Sequence, residues 1–211
     1  MDIEYGLIVL SLFFSKIKEQ VKYLQVLILI SISAVAFSQD VSYSNRSINP
    51  GISIGINEGG SEMGFGGMIS FSYKHGVWKG DRLRLSPGIM TGNFMSLMVT
   101  DVPDYYYRLT SLGLNAELDL IRIGSLSLVI YGGGFVNYSR GLKGTGGWPQ
   151  GENTYSDYFW RLYCGGSFGG GLRLNRPDSR FIYELYPLNF QVGPDYYMMG
   201  FTQFSLGIKL Q

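Results

Sequence analysis

The sequence predicts an all-β fold: an eight-stranded antiparallel transmembrane β-barrel, preceded by a cleaved signal peptide. Three observations predict it. Apolar and polar side chains alternate residue by residue in eight stretches after Gly51, the polar face of these stretches is mostly glycine and serine, and a short apolar run with a basic flank lies near the N-terminus. A period of two places each class of side chain on its own face of a β-strand.

The length and composition of the chain are those of one folded domain or one barrel. The 211 residues carry a net charge of +1, which gives no electrostatic reason to expect a nucleic-acid partner. The 30 glycines are about twice the usual share, yet aromatic residues reach 15%, which favours a folded chain. The single cysteine, Cys164, excludes an intrachain disulfide and a cysteine-based zinc site. We expect no metal and no cofactor.

Residues 1–38 are interpreted as a signal-peptide region. The apolar run 24–37 follows three lysines and is shorter than the roughly 20 residues of a membrane-spanning helix. Ala36 and Ser38 supply small residues before a cut between Ser38 and Gln39, and no cysteine follows that would indicate a lipoprotein. Residues 1–20 lie upstream of the true start if translation begins at Val21. The alternative for this region is a two-helix membrane anchor.

The clearest strand runs from Leu112 to Leu120, where every even position is apolar and every odd position is glycine, amide or carboxylate. A helix would scatter Glu117 and Asp119 around the apolar side. Residues 39–50 are expected to be a periplasmic lead-in, and 51–211 the barrel. The other strands are predicted within residues 52–57, 64–74, 82–89, 126–138, 160–174, 181–186 and 203–210. Pro87 predicts a bulge in the third strand.

The connections between strands indicate an orientation. Longer connections are predicted at 94–107 and 139–156, whereas the intervening ones carry tight-turn signals. Barrels of the outer membrane have short periplasmic turns and longer outer loops, so this asymmetry places both termini in the periplasm.

The identity of the polar residues predicts which face lies inside. A solvent-exposed face would carry lysine, glutamate and threonine, whereas glycine and serine suit the narrow interior of an eight-stranded barrel. A secreted soluble barrel of the lipocalin kind is the alternative. Aromatic residues near strand ends indicate two interfacial belts. One belt comprises Tyr105, Tyr106, Tyr107, Tyr138, Tyr158, Trp160, Tyr196 and Tyr197; the other comprises Tyr73, Trp78, Phe181 and Tyr183.

Inward-facing charges are concentrated at one end of the strands, and we expect an interior polar network there. Its predicted members are Lys74, Arg82, Arg84, Glu117, Asp119, Arg173, Glu184 and Lys209. Because the third and fourth strands are antiparallel neighbours, Arg82 and Arg84 are expected to pair with Glu117 and Asp119. Buried charges need partners, so a structural plug is the leading interpretation, and a proton or ion path is the alternative.

No catalytic residue is predicted. His75, the only histidine, lies at the turn end of its strand, away from the serines of the loops, and Cys164 is expected to face lipid. The segment 141–147 is rich in glycine but lacks the spacing of a phosphate-binding loop. The loop 139–156, with Trp148, is the expected contact site for a protein or glycan partner.

The chain resembles the small outer-membrane β-barrel proteins of the OmpX and PorT-like kind from Bacteroidetes. The resemblance rests on the leader end 36–39, the eight strands, and the last strand Phe204–Leu210, which is similar to the signal read by barrel-assembly machinery. It implies an outer-membrane location among lipids, contact with that machinery during biogenesis, and a structural, interaction or secretion-accessory role. An outer-membrane lipid-modifying enzyme remains an alternative.

Overall fold

The described part of the chain is almost entirely β-strand. The computed structural model describes residues 45–59, 62–78, 81–96, 105–145 and 155–210. The predicted signal-peptide region, and the lead-in as far as residue 44, lie outside these residues. The strands are β1 Arg46–Gly59, β2 Glu62–Gly76, β3 Leu83–Met95, β4 Tyr105–Ile123, β5 Leu126–Thr145, β6 Tyr155–Asn175, β7 Phe181–Val192 and β8 Met198–Lys209.

The sheet closes on itself. Each strand pairs antiparallel with its neighbours in sequence, and β1 also pairs with β8. Ile48 of β1, for example, lies opposite Tyr73 on one side and Ile208 on the other. Closure leaves no strand with an unpaired edge, which is how barrels satisfy their backbone groups. The predicted eight-stranded antiparallel barrel is confirmed.

The barrel has two distinct ends. At the turn end lie the connections β2–β3, β4–β5 and β6–β7, together with the start of β1 and the end of β8. At the loop end lie the other four connections. The β4–β5 connection is the tightest at the turn end, and Gly124 there adopts a φ of 57°, a conformation that favours glycine.

Side chains alternate between the interior and the outer surface. On β4, Leu112 and Leu114 are 58% and 56% exposed, whereas Glu117 and Asp119 are 5% and 2% exposed. The assignment of the leucines to the outer face and of the carboxylates to the interior is therefore confirmed.

The first strand begins earlier than predicted, at Arg46 rather than Gly51. Residues 46–50, assigned to the lead-in, are part of the barrel. Pro50 explains the error: the β1–β8 ladder is interrupted between Ile48 and Gly51, although pairing with β2 continues through Pro50 opposite Phe71. A proline cannot donate to the ladder, so it argues against a strand at this position.

The two long connections are shorter than predicted. The sequence predicts loops at residues 94–107 and 139–156, but β3 continues to Met95 and β4 begins at Tyr105, while β5 continues to Thr145 and β6 begins at Tyr155. Both hairpins stay in register as far as they are described, to Met95 opposite Tyr106 and to Thr145 opposite Tyr155. Strands that continue beyond an apolar layer face water, so they lose the alternating pattern while keeping the ladder.

The predicted bulge at Pro87 is absent. The β2–β3 register is the same on both sides of Pro87, with Ser72 opposite Gly88 and His75 opposite Leu85. The proline therefore interrupts the ladder of hydrogen bonds, but no extra residue is inserted into the strand. Register shifts occur instead at Asp119/Ile121 in β4, at Gly170/Leu172 in β6 and at Tyr186/Asn189 in β7. The β4 shift changes the phase of the alternation, so Arg122 shares the interior with Asp119.

Candidate functional site

A group of charged side chains fills the interior at the turn end. We call it the charged cluster: Lys74, Glu117, Asp119, Arg122, Arg173 and Glu184. Three members are basic and three are acidic, and none has a side chain more than 6% exposed. The residues come from β2, β4, β6 and β7, so the cluster bridges the barrel across its interior.

Arg173 is the centre of the cluster. Its side chain is fully buried, and its Nε donates to Glu184 Oε1 at 2.6 Å. Its Nη1 donates to Asp119 Oδ1 and its Nη2 to Glu117 Oε2. One guanidinium therefore binds three carboxylates, which uses the planar, multi-donor geometry that lysine lacks.

Lys74 links two of the same carboxylates from the opposite side. Its Nζ lies 2.7 Å from Glu117 Oε1 and 2.7 Å from Glu184 Oε2. The ammonium also lies 5.3 Å from the centroid of the Tyr186 ring, within the range of a cation–π contact. Each of its donors thus meets an acceptor or a ring in the interior.

Further side chains donate hydrogen bonds to the carboxylates of the cluster. Asn49 Nδ2 and Ser205 Oγ both donate to Glu184 Oε2, at 3.1 and 2.9 Å. Arg122 Nη2 donates to Asp119 Oδ2 at 2.6 Å. Burying carboxylates is tolerated when they are paired and hydrogen-bonded in this way.

The predicted network is only partly reproduced. The structure brings Lys74, Glu117, Asp119, Arg173 and Glu184 together, but it leaves Arg82, Arg84 and Lys209 outside the charged cluster. The expected neighbours are in place, since Arg84 lies opposite Glu117 and the Asp119 amide donates to the Arg82 oxygen. The ion pairs of these two acids are instead with Lys74, Arg122 and Arg173. The interior is narrow enough for Lys74 and Arg173 to reach Glu117 and Asp119 from β2 and β6, so these two acids pair across the barrel rather than with the adjacent β3.

The three remaining basic residues have other contacts. Arg84 is buried, and its Nε donates to the backbone oxygen of Asp81 at 3.2 Å. Arg82 is half-buried, and its backbone oxygen accepts from the Asp119 amide at 2.9 Å. Lys209 Nζ donates to the backbone oxygen of Arg176 at the turn end.

Sequence reasoning missed Arg122, Asn49 and Ser205 as partners of the acids, and also Tyr186, whose hydroxyl donates to Glu117 Oε2 at 3.3 Å. Arg122 had a detectable signal: two consecutive apolar residues, 120 and 121, interrupt the alternation where the register shifts. Asn49 was missed because it lay in the segment assigned to the lead-in.

The interior at the loop end is apolar, which the prediction of a polar interior missed. We call this group the aromatic plug: Met68, Met90, Phe94, Tyr107, Leu109, Phe135, Tyr163, Tyr197, Met199 and Phe201. Its rings stack in pairs, with centroids 5.4 Å apart for Phe94 and Tyr107 and 4.4 Å apart for Tyr163 and Tyr197. Tyr107 and Tyr197, predicted for the interfacial belt, are each 1% exposed inside the barrel.

The hydroxyl groups of the plug are partnered. Asn57 Nδ2 donates to the Tyr107 hydroxyl at 2.9 Å, and Asn137 Nδ2 donates to that of Tyr197. The buried tyrosines therefore keep hydrogen bonds while their rings fill the space.

A small polar cavity of about 90 Å³ lies between the two layers. Serine, asparagine and glutamine side chains line much of it, including Ser72, Ser111, Asn115 and Gln203, and Glu117 borders it. It has room for a few water molecules. Fully buried side chains above and below, among them Phe94 and Arg173, fill the barrel on either side of it.

The outer surface has the reverse polarity of a soluble protein. Isoleucine and leucine side chains there are more than half exposed, as at Ile52, Ile69, Leu114, Leu162 and Leu188. Apolar residues outside and buried charges inside form the arrangement that a lipid environment stabilises, and a soluble barrel would have the opposite one. The chain is a membrane-spanning β-barrel. Among the residues described here, no helix is long and apolar enough to cross a bilayer.

Exposed aromatic side chains lie towards both ends of this outer surface. At the loop end are Tyr106, Tyr138, Tyr158, Trp160 and Tyr196; at the turn end are Trp78, Phe181 and Tyr183. Exposed rings at two levels correspond to the two interfaces of a bilayer.

The other candidate residues stand apart from the interior. Cys164 is a free, exposed thiol on the outer surface of β6, as expected. His75 lies at the turn end of β2, opposite Arg46 and Leu85 in register. Within the described ranges, no three histidine, cysteine or acidic residues stand close enough together to hold a metal ion.

Comparisons with known proteins give likenesses to solved structures of small outer-membrane barrels. No protein-family profile matches the sequence, and no curated protein matches it. Ail, the attachment invasion locus protein of Yersinia pestis, aligns at 13% identity with a TM-score of 0.48, over 79% of this chain and 99% of its own. Neisserial surface protein A aligns at 15% identity with a TM-score of 0.49, over 81% and 100%. The N-terminal barrel of Pseudomonas aeruginosa OprF aligns at 15% identity with a TM-score of 0.40, over 79% and 100%.

Proposed function

We propose that this chain is an integral outer-membrane barrel with a closed interior, and that it acts as a structural or interaction protein through its loop end. The observation that carries the proposal is the double filling of the barrel. The charged cluster occupies the turn end and the aromatic plug occupies the loop end, each with fully buried members. A barrel filled at two levels supplies a scaffold rather than a conduit.

In this proposal the loop end faces the exterior and both termini lie in the periplasm. The long β5–β6 hairpin supports this orientation, since it remains paired as far as Thr145 and Tyr155 and is formed by the two longest strands of the barrel. Outer-membrane barrels carry their longer extensions on the outside.

The projecting hairpin is the proposed contact surface for a protein or glycan partner. It includes residues 139–145 and 155–156 of the predicted loop 139–156, and Tyr158 on its β6 strand is 62% exposed. Exposed aromatic side chains are common anchors of protein interfaces. A secretion-system accessory would use such a surface, and so would an adhesive or structural protein.

Planar-bilayer recording tests the closed interior. The refolded wild-type barrel should give no steady conductance, and neither should Glu117→Gln, with the exposed turn variant Asp178→Asn as control. A steady wild-type conductance that disappears in Glu117→Gln and persists in Asp178→Asn would contradict the proposal and support an ion or proton path.

Cysteine labelling tests the orientation. In a Cys164→Ser background, Ser156→Cys at the loop end should react with a membrane-impermeant maleimide on intact cells, whereas Asp178→Cys at the turn end should react only after lysis. The reverse pattern would contradict the proposed topology. Heat-modifiable gel migration of the same protein in the outer-membrane fraction checks folding and location.

Affinity purification tests the interaction surface. Replacing 144–156 with a short glycine-containing turn should leave the barrel folded, because every interior contact described above lies outside that segment. Loss of co-purifying molecules relative to the wild type would support the surface, and an unchanged set would contradict it.

A further inference from the structure

Two arginines on the outer surface lie directly opposite each other on neighbouring strands. Arg108 of β4 pairs in register with Arg140 of β5, and both side chains are exposed on the face that carries the leucines. The row extends to Asn93 on β3, which lies opposite Arg108, and to Trp160 on β6, which lies opposite Arg140. One polar and cationic row therefore crosses four strands of the lipid-facing surface.

This opposition is unfavourable unless an anion relieves it. Like charges directly opposite on adjacent strands repel each other, and Cβ atoms in such pairs are only about 5 Å apart. Arg108 Nε donates to Asn93 Oδ1 at 3.4 Å, a neutral acceptor that leaves the charge uncompensated. Among the residues that the structure describes, no carboxylate pairs with either arginine.

The row lies at the height of a headgroup layer. Below it on β4, the outward positions from Thr110 to Leu120 are mostly apolar. Ten residues of a strand tilted by about 45° rise roughly 24 Å, which matches the apolar band of about 25 Å in outer-membrane barrels. Arg108 is therefore placed at the edge of the hydrocarbon layer on the loop-end side, where a phosphate would be.

An apolar groove leads away from the arginine row along the same outer surface. Gly67 lies opposite Asn93, and a Cβ added there would meet nothing within 4 Å. This notch opens into a depression of about 420 Å³ that reaches Arg108, and an adjoining depression of about 580 Å³ shares its lining residues Ile52, Ile69 and Thr91. The second depression continues over Ile89, Phe71, Phe204 and Leu206.

We propose that this surface binds one phosphorylated lipid of the leaflet at the loop end, with its phosphate between Arg108 and Arg140 and an acyl chain in the groove that begins at Gly67. The charge of the row fits an anionic headgroup, and the apolar groove fits hydrocarbon. Guanidinium groups bind phosphate oxygens in a bidentate manner, and the long arginine stems can follow the apolar surface while their charged ends reach the headgroup layer. The site rests on the proposed membrane placement.

Fluorescence quenching by brominated lipids tests the proposal in a bilayer. Substituting Trp78→Phe and Trp148→Phe leaves Trp160, next to Arg140, as the reporter. In vesicles of phosphatidylcholine, phosphatidic acid with brominated acyl chains should quench Trp160 as if enriched about tenfold over brominated phosphatidylcholine, the effect of one or two charge-assisted bonds. The preference should weaken as salt rises, because salt screens exposed charges.

Matched variants test the arginine charges and the apolar groove separately. Arg108→Gln with Arg140→Gln should abolish the preference, whereas Arg176→Gln with Arg180→Gln, at the turn end, should not. Gly67→Leu should reduce it by filling the groove. Gly132→Leu, also lipid-facing and with only a backbone oxygen 3.9 Å from its added Cβ, should leave it unchanged.

The outcomes distinguish this proposal from the membrane placement. A wild-type barrel that inserts, as judged by protease protection, but quenches equally with both lipids would overturn the lipid site alone. A preference that survives the double arginine substitution would also overturn it. A chain that does not insert would overturn the placement and the site together.

Discussion

Arg173 on β6 lies directly opposite Glu184 on β7, and its Nε donates to Glu184 Oε1 at 2.6 Å. The same guanidinium crosses the interior to Asp119 and Glu117 on β4. A single fully buried cation therefore holds together acids from two sides of the barrel, and its removal should have a larger effect than that of any surface charge.

Arg173→Leu should lower the free energy of unfolding by about 3–5 kcal/mol, because it leaves buried carboxylates without a main partner. Arg173→Lys should recover only part of this, since an ammonium cannot reach three acids in a planar fork. Urea unfolding of the refolded barrel in lipid or detergent measures both. Arg176→Leu, at an exposed turn position, should change stability by less than about 0.5 kcal/mol. If Arg173→Leu and wild type had the same free energy of unfolding, the ion pairs of Arg173 would contribute nothing to the stability of the barrel.

Two adjacent glycines of β5 should respond differently to alanine. A Cβ at Gly133 would lie 2.1 Å from the Leu114 oxygen, so Gly133→Ala forces the β4–β5 pair apart. At Gly132 the nearest atom would be 3.9 Å away, so Gly132→Ala should be neutral or slightly stabilising. We expect Gly133→Ala to cost about 1–3 kcal/mol in the same unfolding assay. Similar effects at both positions would contradict the close approach.

Adjacent tyrosines of β4 provide a test of the aromatic plug. Tyr107→Ala should destabilise the barrel by about 3–5 kcal/mol because it empties a packed site, whereas Tyr107→Phe should cost about 1 kcal/mol through loss of the Asn57 bond. Tyr106 is 58% exposed on the outer surface, so Tyr106→Ala should have a much smaller effect. If Tyr106→Ala proved the more damaging of the two alanine variants, the interior position of Tyr107 would be wrong.

Asp81, in the β2–β3 connection, should make stability depend on pH. Burial raises the pKa of its carboxyl above the usual value of 3.8, with the nearby Arg84 and Arg122 opposing the shift, and its Oδ2 has no hydrogen-bond partner within the described residues. A raised pKa means that the folded state binds the proton more tightly than the unfolded state, so this contribution to stability falls as pH rises from below 3.8 through the folded pKa. The advantage of Asp81→Asn over wild type in unfolding free energy should therefore be larger at neutral pH than in acid. If the difference in unfolding free energy between Asp81→Asn and wild type stayed constant from acid to neutral pH, Asp81 would not make stability depend on pH.

The β7–β8 connection carries a tyrosine in a conformation that favours glycine. Asp195 and Tyr196 have φ values of 56° and 58°, and the Tyr197 amide donates to the Pro194 oxygen at 3.1 Å, which closes a turn between them. Tyr196→Gly should stabilise the barrel by about 1 kcal/mol by relieving this backbone cost. Tyr196→Ala removes the ring but keeps the positive φ, so it should not stabilise. Equal effects of the two variants would assign the change to the ring rather than to the backbone.

The parts of the barrel predicted most accurately are those in contact with lipid. Along Leu112–Leu120 one face meets hydrocarbon and the other meets a narrow polar interior, so each residue type reports its own side. The prediction failed where the two faces no longer meet different surroundings. β5 and β6 continue into the segment 139–156 that was expected to be a loop. The alternation is lost there because the outer face meets water, so both faces can be polar.

The contacts inside the barrel could not be predicted in the same way. Glu117 and Asp119 were expected to pair with Arg82 and Arg84 on the neighbouring strand, but Lys74 and Arg173 reach them from β2 and β6. The choice depends on the diameter of the closed sheet, which no local pattern encodes, and on the shift that brings Arg122 inward, of which the sequence shows only the interrupted alternation at residues 120 and 121.

By itself, the sequence determined that this chain alternates two faces over eight strands, that its leucines and isoleucines lie outside, and that its charges gather at one end. These properties follow from the solvent that each side chain meets, which is a local condition. Only the tertiary structure decided which charges pair, that Tyr107 and Tyr197 turn inward to fill the loop end, and that Arg108 and Arg140 stand side by side on the outer face. These properties depend on register and closure, which bring together residues that are distant in the chain.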